Sequence, residues 1–178
     1  MTGKLTRPLP HIETLEDLLT AACLVEEEAA ECLQSLCEQM EAHHNPPMAA
    51  LFTRLADMRA RHAARILAQM EPAWRARRYR RDARWLGAVC PGSVDMLEAH
   101  YLMQPAHGLR LAINSWRGIH DFLSALAAAM PDAALERRAV ELKARVAADL
   151  RAIEEELART QDPQEDWSHD DDPPVIQA

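Results

Sequence analysis

The chain has 178 residues and a formal net charge of −8, and its composition is 48% hydrophobic but only 4% aromatic. A single domain of this length can bury a hydrophobic core without disulfide bonds or structural metal ions. The abundance of Ala, Leu, Glu and Arg, together with only five glycines, predicts an all-α fold. No apolar run reaches the length of a membrane-spanning helix and the first residues do not resemble a secretory signal, so we expect a cytoplasmic protein without membrane contact.

The first predicted helix spans about residues 13–43 and carries a carboxylate in its apolar seam. Thr14 followed by Asp17 is typical of a helix N-terminus. Glu26 falls in the middle of a series with alternating spacings of 3 and 4, and a buried carboxylate needs a cation, a metal or a proton. The apolar members of the series are Leu15, Leu19, Ala22, Ala29, Leu33, Leu36 and Met40.

A second helix is predicted over about 47–70, because Pro46 disfavours helical dihedrals at Asn45 and so separates the two helices. Its seam also carries polar residues at the centre, Arg59 and His62. The apolar positions around them are Phe52, Leu55 and Ile66.

Residues 73–105 are predicted to form a long crossover, with a short helix near 94–101. Six arginines alternate with aromatic residues over 74–85, a pattern that can clamp nucleic acid. We expect instead a crossover helix whose arginines are solvated or paired with the acidic tail, since the rest of the domain is not basic. That tail, residues 161–178, contains six acids, prolines and no Lys or Arg, and it is expected to be extended.

Two further helices complete the predicted bundle, over about 106–130 and 132–160. The first has Trp116 in its apolar stripe, and the second, which Asp132 can cap, has Val146 and Asp149 in its own. Two hairpins joined by one long crossover define a ferritin-like four-helix bundle, here occupying residues 1–160.

The four cysteines, Cys23, Cys32, Cys37 and Cys90, form no C-x-x-C pair, and the three on the first helix do not share one face. We interpret them as reduced structural thiols.

Several short segments of the sequence resemble the rubrerythrin-like branch of the ferritin-like superfamily. The resemblance covers about residues 13–160 plus the tail and is densest in the first hairpin. The segments are Glu26–Glu31, Glu38–Met40 with Asn45-Pro46, Ala50–Ala56, Arg61–Ala64, His100–Met103 with Pro105 and His107, and Asp172–Pro174.

The resemblance implies a diiron site, but most of its ligand positions are substituted. A diiron member would supply Glu at 26, Glu-x-x-His at 59 and 62, Glu near 116, and Glu-x-x-His near 146 and 149. This chain keeps two of these ligands and replaces the others. The resulting cluster is Glu26, Arg59, His62, Trp116, Val146 and Asp149.

We therefore expect a vestigial site in which Arg59 takes the place of the cation, with no catalytic residue and no cofactor. The corresponding function is a non-catalytic binding or assembly protein, acting as a homodimer or with a protein partner. Nucleic acid is not an expected partner.

One alternative is a remodelled mononuclear or dinuclear site that binds iron, manganese or zinc, in an oxidoreductase or an iron-handling protein. Its ligands would be Glu26, His62, His120 and Asp149. Another alternative is a shifted register, with Glu27 or Glu28 as the inward acid.

Overall fold

The computed structural model describes residues 9–77, 90–94, 99, 100 and 102–160. Within these ranges the secondary structure is helical, with four long helices and one short one. The helices are α1 (Leu15–Ala42), α2 (Pro46–Leu67), α3 (Pro72–Arg77), α4 (Pro105–Ala129) and α5 (Ala133–Arg159).

The ends of α1 and α2 are set by local hydrogen bonds. Thr14 and Asp17 form the predicted capping box, in which the Thr14 hydroxyl accepts from the Asp17 N–H at 3.1 Å. At the other end of α1, His44 has a φ of 55°. Asn45 then caps α2, and its side-chain amide donates to the Met103 carbonyl at 2.9 Å. The turn between α1 and α2 is thereby attached to the segment before α4.

The long helices form two hairpins, α1 against α2 and α4 against α5, which pack together around one apolar core. Asp132 caps α5 as predicted, accepting from the Leu135 N–H at 2.9 Å. The ferritin-like helical bundle predicted from the sequence is confirmed.

Two features around the start of the crossover refine the prediction. The second helix ends at Leu67, three residues before its predicted end, and Pro72 begins the separate short helix α3. Arg77 in α3 is 53% exposed, in keeping with the solvated arginines predicted for the crossover, and it also pairs with Glu16 of α1, with Nη2 2.9 Å from Oε2. Residues 78–89, most of the predicted helix near 94–101, and the tail 161–178 lie outside the described residues.

Residues 90–94 lie in the groove between α1 and α4. The Ser115 hydroxyl of α4 donates to the Gly92 carbonyl at 2.6 Å. A Cβ atom on Gly92 would come within 2.9 Å of the Ala29 Cβ in α1, and one on Gly118 would overlap the carbonyl oxygen of Pro91. Two glycines therefore allow this part of the crossover to approach both helices closely.

None of the described helices combines the length and the apolar character that crossing a bilayer requires.

Gly118→Ala should destabilise the bundle, because the added methyl group meets backbone that is held by Ser115. We expect a loss of about 1–3 kcal/mol in the free energy of unfolding, measured with urea. Gly108→Ala, also in α4, is the matched control. Its Cβ atom would come close to the side-chain ends of Met48 and Leu51, which can move, and would make an ordinary contact of 3.5 Å with the Phe52 ring. Equal losses in the two variants would contradict the close approach of Pro91.

Candidate functional site

An ion pair between α1 and α2 lies at the centre of the bundle. The Arg59 side chain is 0% exposed and that of Glu26 is 3% exposed, and Arg59 Nη1 donates to Glu26 Oε2 at 2.9 Å. Both residues lie in seams that are mostly apolar, so the packing of Leu33, Phe52 and Leu55 fixes where the charges lie. Glu26 is thus the inward acid, while Glu27 and Glu28 are only half-buried.

Trp116 of α4 forms the other side of the guanidinium site. The Arg59 Cζ atom is 3.5 Å from the centroid of the Trp116 ring, and the ring is fully buried. When a guanidinium and an indole face are both buried away from solvent, the attraction between the charge and the ring quadrupole stabilises the pair by about 2 kcal/mol. Trp116 therefore both fills space and stabilises the charge.

His62 connects the buried ion pair to α5. Its Nε2 is 2.8 Å from Asp149 Oδ2, a good hydrogen-bond distance, while its Nδ1 is 3.5 Å from Glu26 Oε1, at the limit for one. The Asp149 side chain is 29% exposed. Val146, one helical turn before Asp149, is buried and contributes apolar packing. The imidazole therefore links a carboxylate in the core to one near the surface.

The electrostatics keep both members of the central pair charged. Burial raises the pKa of Glu26, but the Arg59 charge and His62 outweigh this effect, so the pKa lies below its ordinary value. Burial lowers the pKa of Arg59, and the charges of Glu26 and Asp149 oppose that shift. Because a guanidinium does not lose its proton in proteins, Arg59 remains a fixed cation.

The hydrogen bonding of the pair is incomplete within the described residues. Arg59 Nε and Nη2 and Trp116 Nε1 are buried there without a hydrogen-bond partner. Of the three guanidinium nitrogens, only Nη1 has a hydrogen bond to a carboxylate. Glu26 is consequently the main compensation for the cost of burying the charge.

A narrow recess reaches Glu26 and His62 between two exposed arginines, Arg65 of α2 and Arg145 of α5. It has room for about one water molecule. Its apolar walls are Ala22, Ile66, Leu123 and Leu142. Neither arginine is among the residues predicted for the site. Their spacing could have indicated them, because Arg65 follows His62 by three residues and Arg145 precedes Asp149 by four, the spacings of neighbours on one helix face.

Two of the residues at the centre of the cluster are not metal ligands. The Arg59 guanidinium, which carries a permanent charge, and the Trp116 indole pack against each other there. Among the residues that the structure describes, no three His, Cys, Asp or Glu side chains have the spacing of a metal site. His120, a ligand in the alternative interpretation, has its Nδ1 3.3 Å from Asp121 Oδ1, its own neighbour in the chain.

Comparison with known proteins agrees with this architecture. Residues 17–91 match the model of the rubrerythrin family. Over these residues the chain is similar to rubrerythrins. It is also similar to the crystal structure of an uncharacterised conserved protein from Magnetospirillum magnetotacticum MS-1, with 26% identity and a TM-score of 0.59 over 84% of this chain and 97% of that one. No curated protein matches the chain significantly. The rubrerythrin-like bundle thus holds Arg59 and Trp116 at its centre.

Removing either member of the central pair should destabilise the protein strongly. Glu26→Gln and Arg59→Met should each cost about 3–5 kcal/mol in the free energy of unfolding, since each strands a buried polar partner. The double variant should lose much less than the sum of the two, and urea unfolding of all four proteins measures this coupling.

The exposed pair of Arg117 and Glu154, with Nη2 and Oε1 2.6 Å apart, is the control. Glu154→Gln should cost no more than about 1 kcal/mol. Additive losses from the two core substitutions would mean that Glu26 and Arg59 do not compensate each other.

The lowered pKa of Glu26 predicts how stability depends on pH. A carboxyl whose pKa is depressed by folding contributes stability that is present above its ordinary value of 4.5 and is lost as the pH falls through the folded value. The difference in unfolding free energy between the native chain and Glu26→Gln should therefore be constant near neutral pH and shrink in acid. A difference that grows on acidification would show that the folded pKa of Glu26 is raised.

Proposed function

We propose that this rubrerythrin-like protein has given up diiron chemistry and acts as a non-catalytic binding or assembly protein. The observation that carries the proposal is the fully buried Arg59, paired with Glu26 and stacked on Trp116. The chain supplies its own internal cation at a position where a diiron relative would supply a carboxylate ligand.

The electrostatic cost of adding a metal ion supports the proposal. A divalent cation about 4 Å from a guanidinium is repelled by about 8 kcal/mol at an effective dielectric constant near 20. Glu26 and Asp149 are the acids whose charges act on Arg59, and Glu26 is already hydrogen-bonded to it. Two ferrous ions would need more carboxylates around them than this cluster contains.

The steric arrangement points in the same direction. Trp116 is completely buried against the guanidinium, so metal ions and their bound water would require that the indole leave its place. Displacing a large aromatic side chain from a packed core costs about as much as deleting one, roughly 3–5 kcal/mol. Binding would therefore have to overcome both repulsion and repacking.

Without chemistry in the core, the function belongs to the surface of the bundle. The proposal includes association with a second copy of the chain or with another protein, in keeping with the broad faces of helices as long as α1, with 28 residues, and α5, with 27. Sedimentation of the purified protein measures the oligomeric state.

Metal analysis tests the proposal. Protein purified without chelators should contain only traces of iron, manganese and zinc. Arg59→Glu removes the repulsion and restores a Glu-x-x-His pattern with His62, so it should bind a divalent metal at least tenfold more tightly than the native chain, with a rise in melting temperature when the metal is added. Arg59→Gln removes the charge without adding a carboxylate, and it should gain much less.

The opposite outcome is equally well defined. Stoichiometric metal in the native protein that disappears in Glu26→Ala would overturn the proposal. It would favour the oxidoreductase or iron-handling alternative, with His62 and Asp149 as further ligands, because the structure does bring these two residues into contact.

A further inference from the structure

The crossover segment 90–94 brings a cysteine to a fixed position beside α1. Ser115 and Gly118 hold Gly92 and Pro91 against α4, and Gly92 packs on Ala29 of α1. The backbone next to Cys90 is thus fixed from two sides. The Cys90 side chain is half-buried, and its Sγ lies 3.9 Å from the Val25 carbonyl oxygen in α1.

The face of α1 that receives this segment also carries Cys32. Val25, Ala29 and Cys32 are separated by four and three residues, so they follow one another along one side of the helix. The Cα–Cβ bond of a helical residue tilts toward the helix N-terminus, which directs the Cys32 side chain back toward the level of Ala29. Cys32 is half-buried and therefore remains accessible to small reagents.

The electrostatics of Cys90 are consistent with this proximity. Burial raises the pKa of the Cys90 thiol to about 12; the Gly92 N–H opposes the rise, and the negative charges of Glu28 and Cys32 add to it. On the α4 side, Ser115 and Gly118, which contact the same segment, carry no charge. Because Cys90 stays protonated at neutral pH, it is not the first of the two cysteines to attack a reagent.

We propose that Cys32 and Cys90 form a redox modification site, a dithiol that low-molecular-weight disulfides convert to an intramolecular disulfide. The Cys32 thiolate attacks one sulfur of the reagent disulfide, and the S–S bond breaks to release one reagent thiolate. Cys90 then gives up its proton to solvent and attacks Cys32 Sγ, which releases the second reagent thiolate. The protein dithiol is oxidised by two electrons and the reagent is reduced to two thiols.

The other two cysteines, Cys23 and Cys37, lie in different surroundings and serve as internal controls. All four cysteines are free thiols in the structure. Cys23 is fully buried and its thiol points to the Ala63 carbonyl, while Cys37 is buried with its Sγ 3.1 Å from the Thr53 hydroxyl oxygen. Burial should protect both from the reagent.

The test uses the full folded chain treated with oxidised glutathione, followed by thiol blocking and peptide mapping. The expected product is a monomer in which the peptides that contain Cys32 and Cys90 are linked. Cys32→Ser and Cys90→Ser should each abolish the link, while Cys23→Ser and Cys37→Ser should leave it intact. A link between other cysteines, a disulfide between chains, or no link in protein whose circular dichroism shows it to be folded would overturn the proposal.

A second pair of variants tests the geometry without touching a thiol. Gly118→Ala displaces the Pro91 carbonyl and with it Cys90, so the rate of closing the disulfide should fall several-fold. Gly108→Ala, in the same helix but facing Met48, should close at the native rate. If both variants closed at the native rate, the position of segment 90–94 would not be what brings the sulfurs together, and the proposal would fail.

Discussion

The buried charge of Arg59 is the constraint on which the rest of the site depends. A guanidinium at the centre of a four-helix bundle cannot lose its proton and cannot reach water, so the surrounding helices must compensate for it. α1 supplies Glu26 at 2.9 Å, and α4 supplies the indole face of Trp116 at 3.5 Å. α5 contributes Asp149, which holds His62 against the pair. Three long helices, α1, α4 and α5, therefore contribute to the compensation of a charge that the fourth, α2, carries.

An internal cation changes how stability depends on the surroundings. In a bundle whose core carboxylates bind metal ions, stability rises with the free concentration of the metal, because the ion binds the folded state alone. Here the cation is part of the chain and is present at every metal concentration. The disadvantage is that the Arg59 charge cannot be removed by loss of a proton or by dissociation, and that Arg59 Nε and Nη2 lack hydrogen-bond partners among the described residues. The core therefore contains a permanent charge that its neighbours compensate only in part.

The sequence reveals the bundle and most of the central cluster because helical spacing determines both. A seam with steps of 3 and 4 residues places Glu26, Arg59 and His62 inward once the apolar neighbours are buried, and the same reasoning aligns Trp116 and Asp149. Helical spacing does not indicate two further contacts. Arg77 pairs with Glu16 across 61 residues of sequence, and Gly92 and Gly118 allow a close approach that no periodicity records. Both contacts depend on the path of the crossover across the bundle, which tertiary packing determines and local sequence spacing does not.

The incomplete hydrogen bonding of Arg59 bears on why such a pair persists. A core with apolar residues of similar volume is often as stable as one with a buried ion pair, so stability alone is a weak reason for keeping the pair. A better reason is that the pair fixes the position of α2 relative to α1. Sliding α2 by one turn, about 5.4 Å, would take Arg59 away from both Glu26 and Trp116 and leave an uncompensated charge, at a cost of about 3–5 kcal/mol. An Ala- and Leu-rich seam, by contrast, packs in several offsets with similar energy. The pair between Glu26 and Arg59 makes all but one of these offsets between α1 and α2 unfavourable.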